Sequence, residues 1–258
     1  MGRFQGRVAL VTAAASGIGL ATARRLAREG ARIALCDIRH DELQARAGEI
    51  EGPGLLAVAV DMRVREEVDA FVAQAVAKFG RIDVLVNNAG LGRRGRVQDM
   101  TDEDWRLVME TSLDSVFYAS RAAMPHLVAT RGAIVNVASI SGLRGDGGTI
   151  AYNAAKGAIV NMTRGMAIDA GPDGVRVNAV CPGLTITPMT QRMRDNETVL
   201  GTYLDRIPLA RPGGADEIAA AIAFLASPDA SYVNGVALAV DGGLTAWTGQ
   251  PVWRPKRG

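Results

Sequence analysis

Seven continuously apolar runs, each the length of one strand, alternate with amphipathic stretches of helix length along the chain. The runs are RVALVT (7–12), ARIALCD (31–37), LLAVAVD (55–61), IDVLVNN (82–88), GAIVNVAS (132–139), VRVNAVCP (175–182) and VALAVDG (236–242). Helical periodicity falls near 17–29, 40–50, 64–79, 102–129, 152–170 and 215–226. A strand with one wet face alternates apolar and polar residues, whereas an unbroken apolar run suits a strand covered on both faces. Strands spaced by single helices build βαβ units, and such units wind into a parallel sheet. The expected class is therefore α/β, a doubly wound, seven-stranded parallel sheet flanked by helices on both faces.

No linker, repeat or low-complexity segment interrupts this order, so residues 1–258 are expected to form a single domain. The least regular pieces are 90–100, 140–150 and 183–214, and each follows the C-terminal end of a strand run. In open parallel sheets that edge is where ligands bind. A formal charge of +2 gives no reason to expect nucleic acid or an anionic membrane as partner. No apolar run reaches the roughly 18 residues of a membrane helix. Strand-like sequence begins within about six residues of Met1, which leaves no room for a signal peptide. Cys36 and Cys181 form no CxxC pair, and His40 and His126 lack metal-ligand spacing. Reduced, buried thiols, a cytoplasmic location and no metal are expected.

Gly17 and Gly19 stand where the first strand run turns into a helix, whose N-terminal N–H groups and dipole favour a phosphate. The GxGxxG spacing is not met. Asp37 ends the second run, about where an acid accepts hydrogen bonds from an adenosine ribose. An acid there repels a 2′-phosphate and favours NAD over NADP. Arg39, two residues on, weakens that preference, because arginine accommodates the phosphate.

With these pieces placed, the chain resembles the short-chain dehydrogenase/reductase family over nearly its whole length, a family with a Rossmann-type fold. The matching features are the TxxxxGIG turn at 12–19, Asp61, Asn87-Asn88-Ala89-Gly90, Ser139, Tyr152, Lys156, and Pro182-Gly183 with Thr187. The resemblance implies that Ser139, Tyr152 and Lys156 act on the substrate oxygen, with Lys156 also bonding the nicotinamide ribose. It implies cofactor contacts from Thr12, Ser16, Gly17, Ile18 and Gly19 at the turn, and from Asp37, Asp61 and Met62 at the adenosine end. Asn88, Ala89 and Gly90 would line the adenosine side, while Pro182, Gly183, Thr185 and Thr187 would hold the carboxamide.

Composition adds one observation independent of any family. Of 29 basic residues only Lys78, Lys156 and Lys256 are lysine. Lysine in register with Tyr152, four residues apart on one helix face, marks a position where a compact ammonium is needed rather than a guanidinium. Tyrosine, with its ordinary pKa of about 10, is a poor base near neutrality. A neighbouring ammonium favours the phenolate and draws that value down. Ser139 would hold the substrate oxygen and stabilise developing charge.

Two residues depart from the family pattern. Ala13 stands directly after Thr12 where the family turn, TGxxxGIG, usually has glycine, and alanine at positive φ would carry about 1–2 kcal/mol of strain. A backbone compatible with a β-carbon is therefore expected there. Ser112 stands where the family usually has an asparagine anchoring a water between lysine and solvent; serine reaches less far.

The stretch 188–209 reads as a substrate lid, with Met189, Met193, Leu200 and Tyr203 available to face a small-molecule substrate. Arg93, Arg94, Arg96 and Arg144 fall in loops at the site edge and read mainly as solvated. A homotetramer is implied by the closing helix and strand, and the tail 244–258, with Trp247 and Trp253, is expected to dock on a neighbour. The leading reading is an NAD-dependent dehydrogenase of a secondary alcohol, polyol or hydroxy acid. The alternatives are an NADPH-dependent 3-oxoacyl-carrier-protein reductase and a non-catalytic dinucleotide-binding regulator.

Overall fold

The computed structural model describes residues 2–248 and 250. Strands β1 (Val8–Thr12), β2 (Arg32–Asp37), β3 (Leu55–Ala59), β4 (Val84–Asn87), β5 (Ala133–Val137) and β6 (Arg176–Pro182) are joined in chain order by helices. These are α1 (Gly17–Arg28), α2 (His40–Ala47), α3 (Arg65–Phe79), α4 (Asp102–Met109) with α5 (Ser115–Thr130), and α6 (Ile150–Ala170). Beyond β6 come β7 (Thr185–Ile186), α7 (Gln191–Arg194), α8 (Glu197–Arg206), β8 (Gly213–Gly214), α9 (Ala215–Ala226) and β9 (Ala237–Val240). Seven strands form one parallel sheet in the order β3-β2-β1-β4-β5-β6-β9, while β7 pairs only with β8.

The continuous apolar runs have a direct physical cause. Ala9 and Val11 of β1 pack with α1, α2 and α9, through residues such as Leu26, Leu43 and Ile222. Val8 and Leu10 face the other way, against Phe71 of α3 and Leu127 of α5. Ile33 and Leu35 divide from Ala34 and Cys36 in the same manner on β2. Both faces are dry, so strand positions are apolar save where a buried polar side chain finds a partner.

The strand order reverses between β1 and β4, which opens a crevice at their C-terminal ends. Buried polar groups fix what flanks it. Asn87 on β4 donates to Asn136 on β5 at 2.9 Å and to Ser120 on α5 at 3.0 Å. Asn136 donates in turn to Thr163 on α6 at 2.9 Å. These bonds lock α6 in one register against the sheet, since sliding it would strand buried polar atoms.

Two regions differ from the sequence expectation. The single helix expected over 102–129 is broken by a π-helical turn, Glu110–Asp114, which carries Ser112. Such turns gather at functional sites. The irregular stretch expected over 183–214 contains α7, α8 and the β7–β8 pair. No helix among the described residues is long and apolar enough to cross a membrane. Cys36 and Cys181 are buried free thiols, both pushed up in pKa chiefly by burial, Cys181 to about 11. Trp253 of the tail lies outside the described residues, whereas Trp247 lines a cleft of its own chain with Tyr203 and Arg144.

Candidate active site

One cleft collects most of the expected residues. Its walls include Ser16, Gly17 and Ile18 at the start of α1, Asn88 and Gly90 after β4, and Ser139, Tyr152 and Lys156. Pro182, Gly183, Thr185 and Thr187 close it after β6. Arg39, read as able to accommodate a 2′-phosphate, and Met189, read as facing the substrate, also line it, as do Ala138, Pro188 and Thr190, to which the sequence assigned no role.

The first turn of α1 is open to an anion. Ser16 stands at the N-cap in extended conformation, yet its side chain caps no backbone N–H. The Ser16 hydroxyl instead accepts from Arg39 at 3.0 Å. Gly19 is required by crowding, because a Cβ there would meet the Ala13 carbonyl oxygen at 2.4 Å and Asn88 Nδ2 at 2.6 Å. Gly17 faces Thr187, whose Cγ2 a Cβ would meet at 3.2 Å. Uncapped N–H groups beside bare glycines suit a pyrophosphate, so the residues present fit a dinucleotide.

Several of the residues expected at the cofactor also bond within the protein. Thr12 is buried, and its hydroxyl accepts from Asn88 N at 2.9 Å and Ala89 N at 3.1 Å. Thr12 thus ties the two turns at the switch point and is committed there. Asn88 donates to the carbonyls of Thr12 and Ala13 at 3.1 and 3.0 Å. Met62 packs in the core against Cys36, and Asp61 is forked by Arg63; neither lines the cleft. Arg63 holds the Asp61 carboxyl below its ordinary range.

The backbone at Ala13 corrects another expectation. Its φ is +51°, in the left-handed region, so the turn does place alanine at positive φ. The β-carbon is strained by about 1–2 kcal/mol.

Tyr152 and Lys156 lie on the first turns of α6. The turn after β5 reaches them because Gly142 packs on the Lys156 backbone, where a Cβ would lie 2.5 Å from its carbonyl oxygen. Lys156 Nζ donates to the Val137 carbonyl at 2.8 Å and stands 5.6 Å from the centre of the Tyr152 ring. The amine is 3 % exposed, and burial lowers its pKa to about 8. Tyr152 is pushed up by burial first, with Ser139 hydrogen bonding acting in the opposite direction and Asp146 adding to the rise. The expected lowering of the phenol by Lys156 is therefore not the dominant effect in this packing; desolvation is. Ser139 is nearly buried, and its hydroxyl donates to Ser141 at 3.1 Å. Ser112 is fully buried beside Gly90, accepting from Leu91 N and donating to Leu91 O, both at 3.3 Å. A phenol, an amine and the Ser139 hydroxyl converging at a cleft floor can exchange protons with a bound oxygen and stabilise its charge.

Residues 12–245 match the family model described as Enoyl-(Acyl carrier protein) reductase. The chain is 44 % identical to the meso-2,3-butanediol dehydrogenase of Serratia marcescens over 96 % of this chain and 98 % of that one. It is 41 % identical to the 3-oxoacyl-(acyl-carrier-protein) reductase of Thermotoga maritima, covering 94 % of this chain and 99 % of the other. The crystal structure of levodione reductase superposes with a TM-score of 0.90 at 36 % identity, over 94 % of this chain and 99 % of that one.

Proposed function

Given that this chain belongs to the short-chain dehydrogenase/reductase family, whose members act on CH–OH groups with a nicotinamide dinucleotide, we propose that it is specifically NAD(H)-dependent. Its reaction interconverts a secondary alcohol and the corresponding ketone. The substrate we favour is a small alcohol, polyol or hydroxy acid, with Tyr152 as the acid/base. The observation that carries this assignment is the convergence of Ser139, Tyr152 and Lys156 on the cleft that begins at the uncapped start of α1.

When bound, the nicotinamide accepts or supplies the hydride at the carbinol carbon. Ser139 holds the substrate oxygen. Tyr152 removes its proton in oxidation and returns one in reduction. Lys156, buried beside the ring, stabilises the phenolate whenever it forms, and it would bond the nicotinamide ribose. Pro182, Gly183, Thr185 and Thr187 would hold the carboxamide, and Asn88 to Gly90 the adenosine side. The preference for NAD rests on Asp37, a buried carboxylate ending β2.

We also read the chain as one domain, with 183–214 as its substrate loop. Assembly as a homotetramer is supported by apolar side chains left exposed on α5, α6 and α9, notably Phe117, Ile168 and Phe224. Light scattering tests that assembly. Two unpaired buried thiols support a cytoplasmic location.

The test of activity is to mix the protein with NAD and a panel of secondary alcohols, polyols and hydroxy acids and follow NADH absorbance. Turnover with at least one member, lowered roughly 100-fold or more by Tyr152→Phe, is the expected result. No turnover with any member, but reduction of 3-oxoacyl thioesters by NADPH, would move the assignment to the acyl-carrier-protein substrate. Arg39 and the 41 % identical Thermotoga reductase are what favour that second reading.

A further inference from the structure

A second cleft, of about 380 Å³, adjoins the catalytic one. Ile140, Arg144 and Asp146 reach it from the loop after Ser139, Tyr203 and Arg206 from α8, and Trp247 from the chain beyond β9. Hydroxyls join the two clefts. Ser139 lines the first, Asp146 lines the second, and Ser141 accepts from Ser139 at 3.1 Å while donating to Asp146. A substrate held at Ser139 has this space directly beside it.

The arginines of this cleft differ from their neighbours in one respect. Arg93 pairs with Asp104, Arg96 with Asp99 and Arg211 with Glu217. Among the described residues, Arg144 and Arg206 pair with no carboxylate; Arg144 donates to the adjacent Leu143 carbonyl at 2.9 Å. Both residues are exposed, so an anion reaches them without displacing a buried partner. Asp146 is the one acid on the lining, and Ser141 engages it. These charges face a common phenol: burial raises the pKa of Tyr203 first, Asp146 adds to the rise, and Arg94 and Arg206 oppose it. Two guanidinium groups against one carboxylate leave the lining positive, and the apolar walls at Ile140 and Trp247 focus that charge on an entering ligand. A neutral substrate covering the cleft would desolvate two cations and supply no counter-charge. A carboxylate supplies it, in the planar shape that a guanidinium fork matches.

We infer that the substrate is a secondary hydroxy acid, its carboxylate held by Arg144 and Arg206 while its carbinol stands at Ser139 and Tyr152. The inference rests on the dehydrogenase reading above and narrows it. The carbinol carbon loses hydride to the nicotinamide, and its oxygen gives a proton to the Tyr152 phenolate. Hydroxy acid, NAD and phenolate thus become oxo acid, NADH and phenol, with the carboxylate unchanged.

Two measurements test this. In the first, 4-hydroxypentanoate, its methyl ester and 2-pentanol are compared as substrates with NAD, with the matching 3-hydroxybutyrate and 5-hydroxyhexanoate sets alongside. The best acid is expected to exceed its ester in kcat/KM at least about tenfold. That ratio should fall at least about tenfold in Arg144→Gln and in Arg206→Gln, through KM rather than kcat. An ester or alcohol used as well as the best acid overturns the inference, as does a ratio that neither variant changes.

In the second, the three corresponding oxo acids are titrated by calorimetry into Tyr152→Phe saturated with NADH. Adding Arg144→Gln or Arg206→Gln should weaken the tightest of them at least about tenfold. Equal affinities with and without the arginines overturn the carboxylate site. Because this readout needs no turnover, the two readings fail separately. Arginine-dependent binding without turnover of any alcohol would sink the dehydrogenase reading and uphold the site. Turnover of neutral alcohols without arginine-dependent binding would do the reverse.

Discussion

The Arg39 guanidinium lies across the Asp37 carboxylate, with Nε 3.1 Å from Oδ1 and a terminal nitrogen 3.2 Å from Oδ2. Asp37 also accepts from the backbone N–H of Ala15 and of Arg39, each at 3.0 Å. A ribose diol reaching this acid must compete with Arg39, whose side chain is 44 % exposed and so is held only weakly. Arg39→Ala is expected to tighten NAD roughly two- to fivefold, under about 1 kcal/mol, and to weaken NADP. Asp37→Ala is expected to weaken NAD at least tenfold. Fluorescence titration of each variant with both cofactors checks this; Arg39→Ala weakening NAD would show that Arg39 itself holds the ribose.

Burial sets Lys156 against the stability of the fold. Its pKa is lowered from the ordinary 10.5 to about 8, so between those values the unfolded chain holds more protons and stability rises with pH. Below pH 8 both states carry the charge, and the buried ammonium costs on the order of 3 kcal/mol. Lys156→Met removes the titrating group. The unfolding free energy of the unaltered protein minus that of the variant should rise by about 3 kcal/mol from pH 7.5 to 10.5 in denaturant titrations. A flat difference would place the amine at its ordinary value. Activity in the variant should drop roughly 100-fold or more.

Most of the fold was legible because each strand buries two faces and each helix one, so burial writes two periods into the chain. The edge that carries the cleft was legible for the same reason, since strand ends and the helix start at Gly17 follow from the pattern, whereas Ser139, Tyr152 and Lys156 were singled out as a set by the resemblance to the family. Other features leave no such trace. The π turn at Glu110–Asp114 adds one residue to a helical repeat too short to register it. Helix α8 buries no residue fully, so it has no apolar stripe to read. The Asp37–Arg39 pairing and the Ser141–Asp146 bond depend on how a turn folds back, and residues two or five apart have no fixed relation until it does. Nothing local shows that the Thr12 hydroxyl accepts from the turn after β4.

Ala13 carries strain that a glycine would release. At φ +51° a β-carbon costs about 1–2 kcal/mol, and glycine returns roughly 0.4–1 of that through its looser unfolded chain. Ala13→Gly should therefore stabilise the protein by about 0.5–1 kcal/mol and raise Tm by roughly 1–4 °C in calorimetry. NAD affinity should change less than about tenfold, since the Ala13 carbonyl keeps its bond from Asn88. A lower Tm would mean that the methyl group contributes more by packing than it loses to strain.

Ser112 joins the π turn to the loop that carries Gly90, and both of its bonds go to the Leu91 backbone. Ser112→Ala leaves that N–H and that carbonyl without the partner, at a cost of about 1–3 kcal/mol. The loop beside Lys156 loosens, but Ser139, Tyr152 and Lys156 keep their side chains. Stability should fall by that amount in denaturant titrations while turnover stays within a few-fold. Ser112→Asn keeps a donor and an acceptor and should likewise stay within a few-fold in turnover. A collapse of turnover in Ser112→Ala, with the fold intact by circular dichroism, would make this hydroxyl a participant in proton transfer.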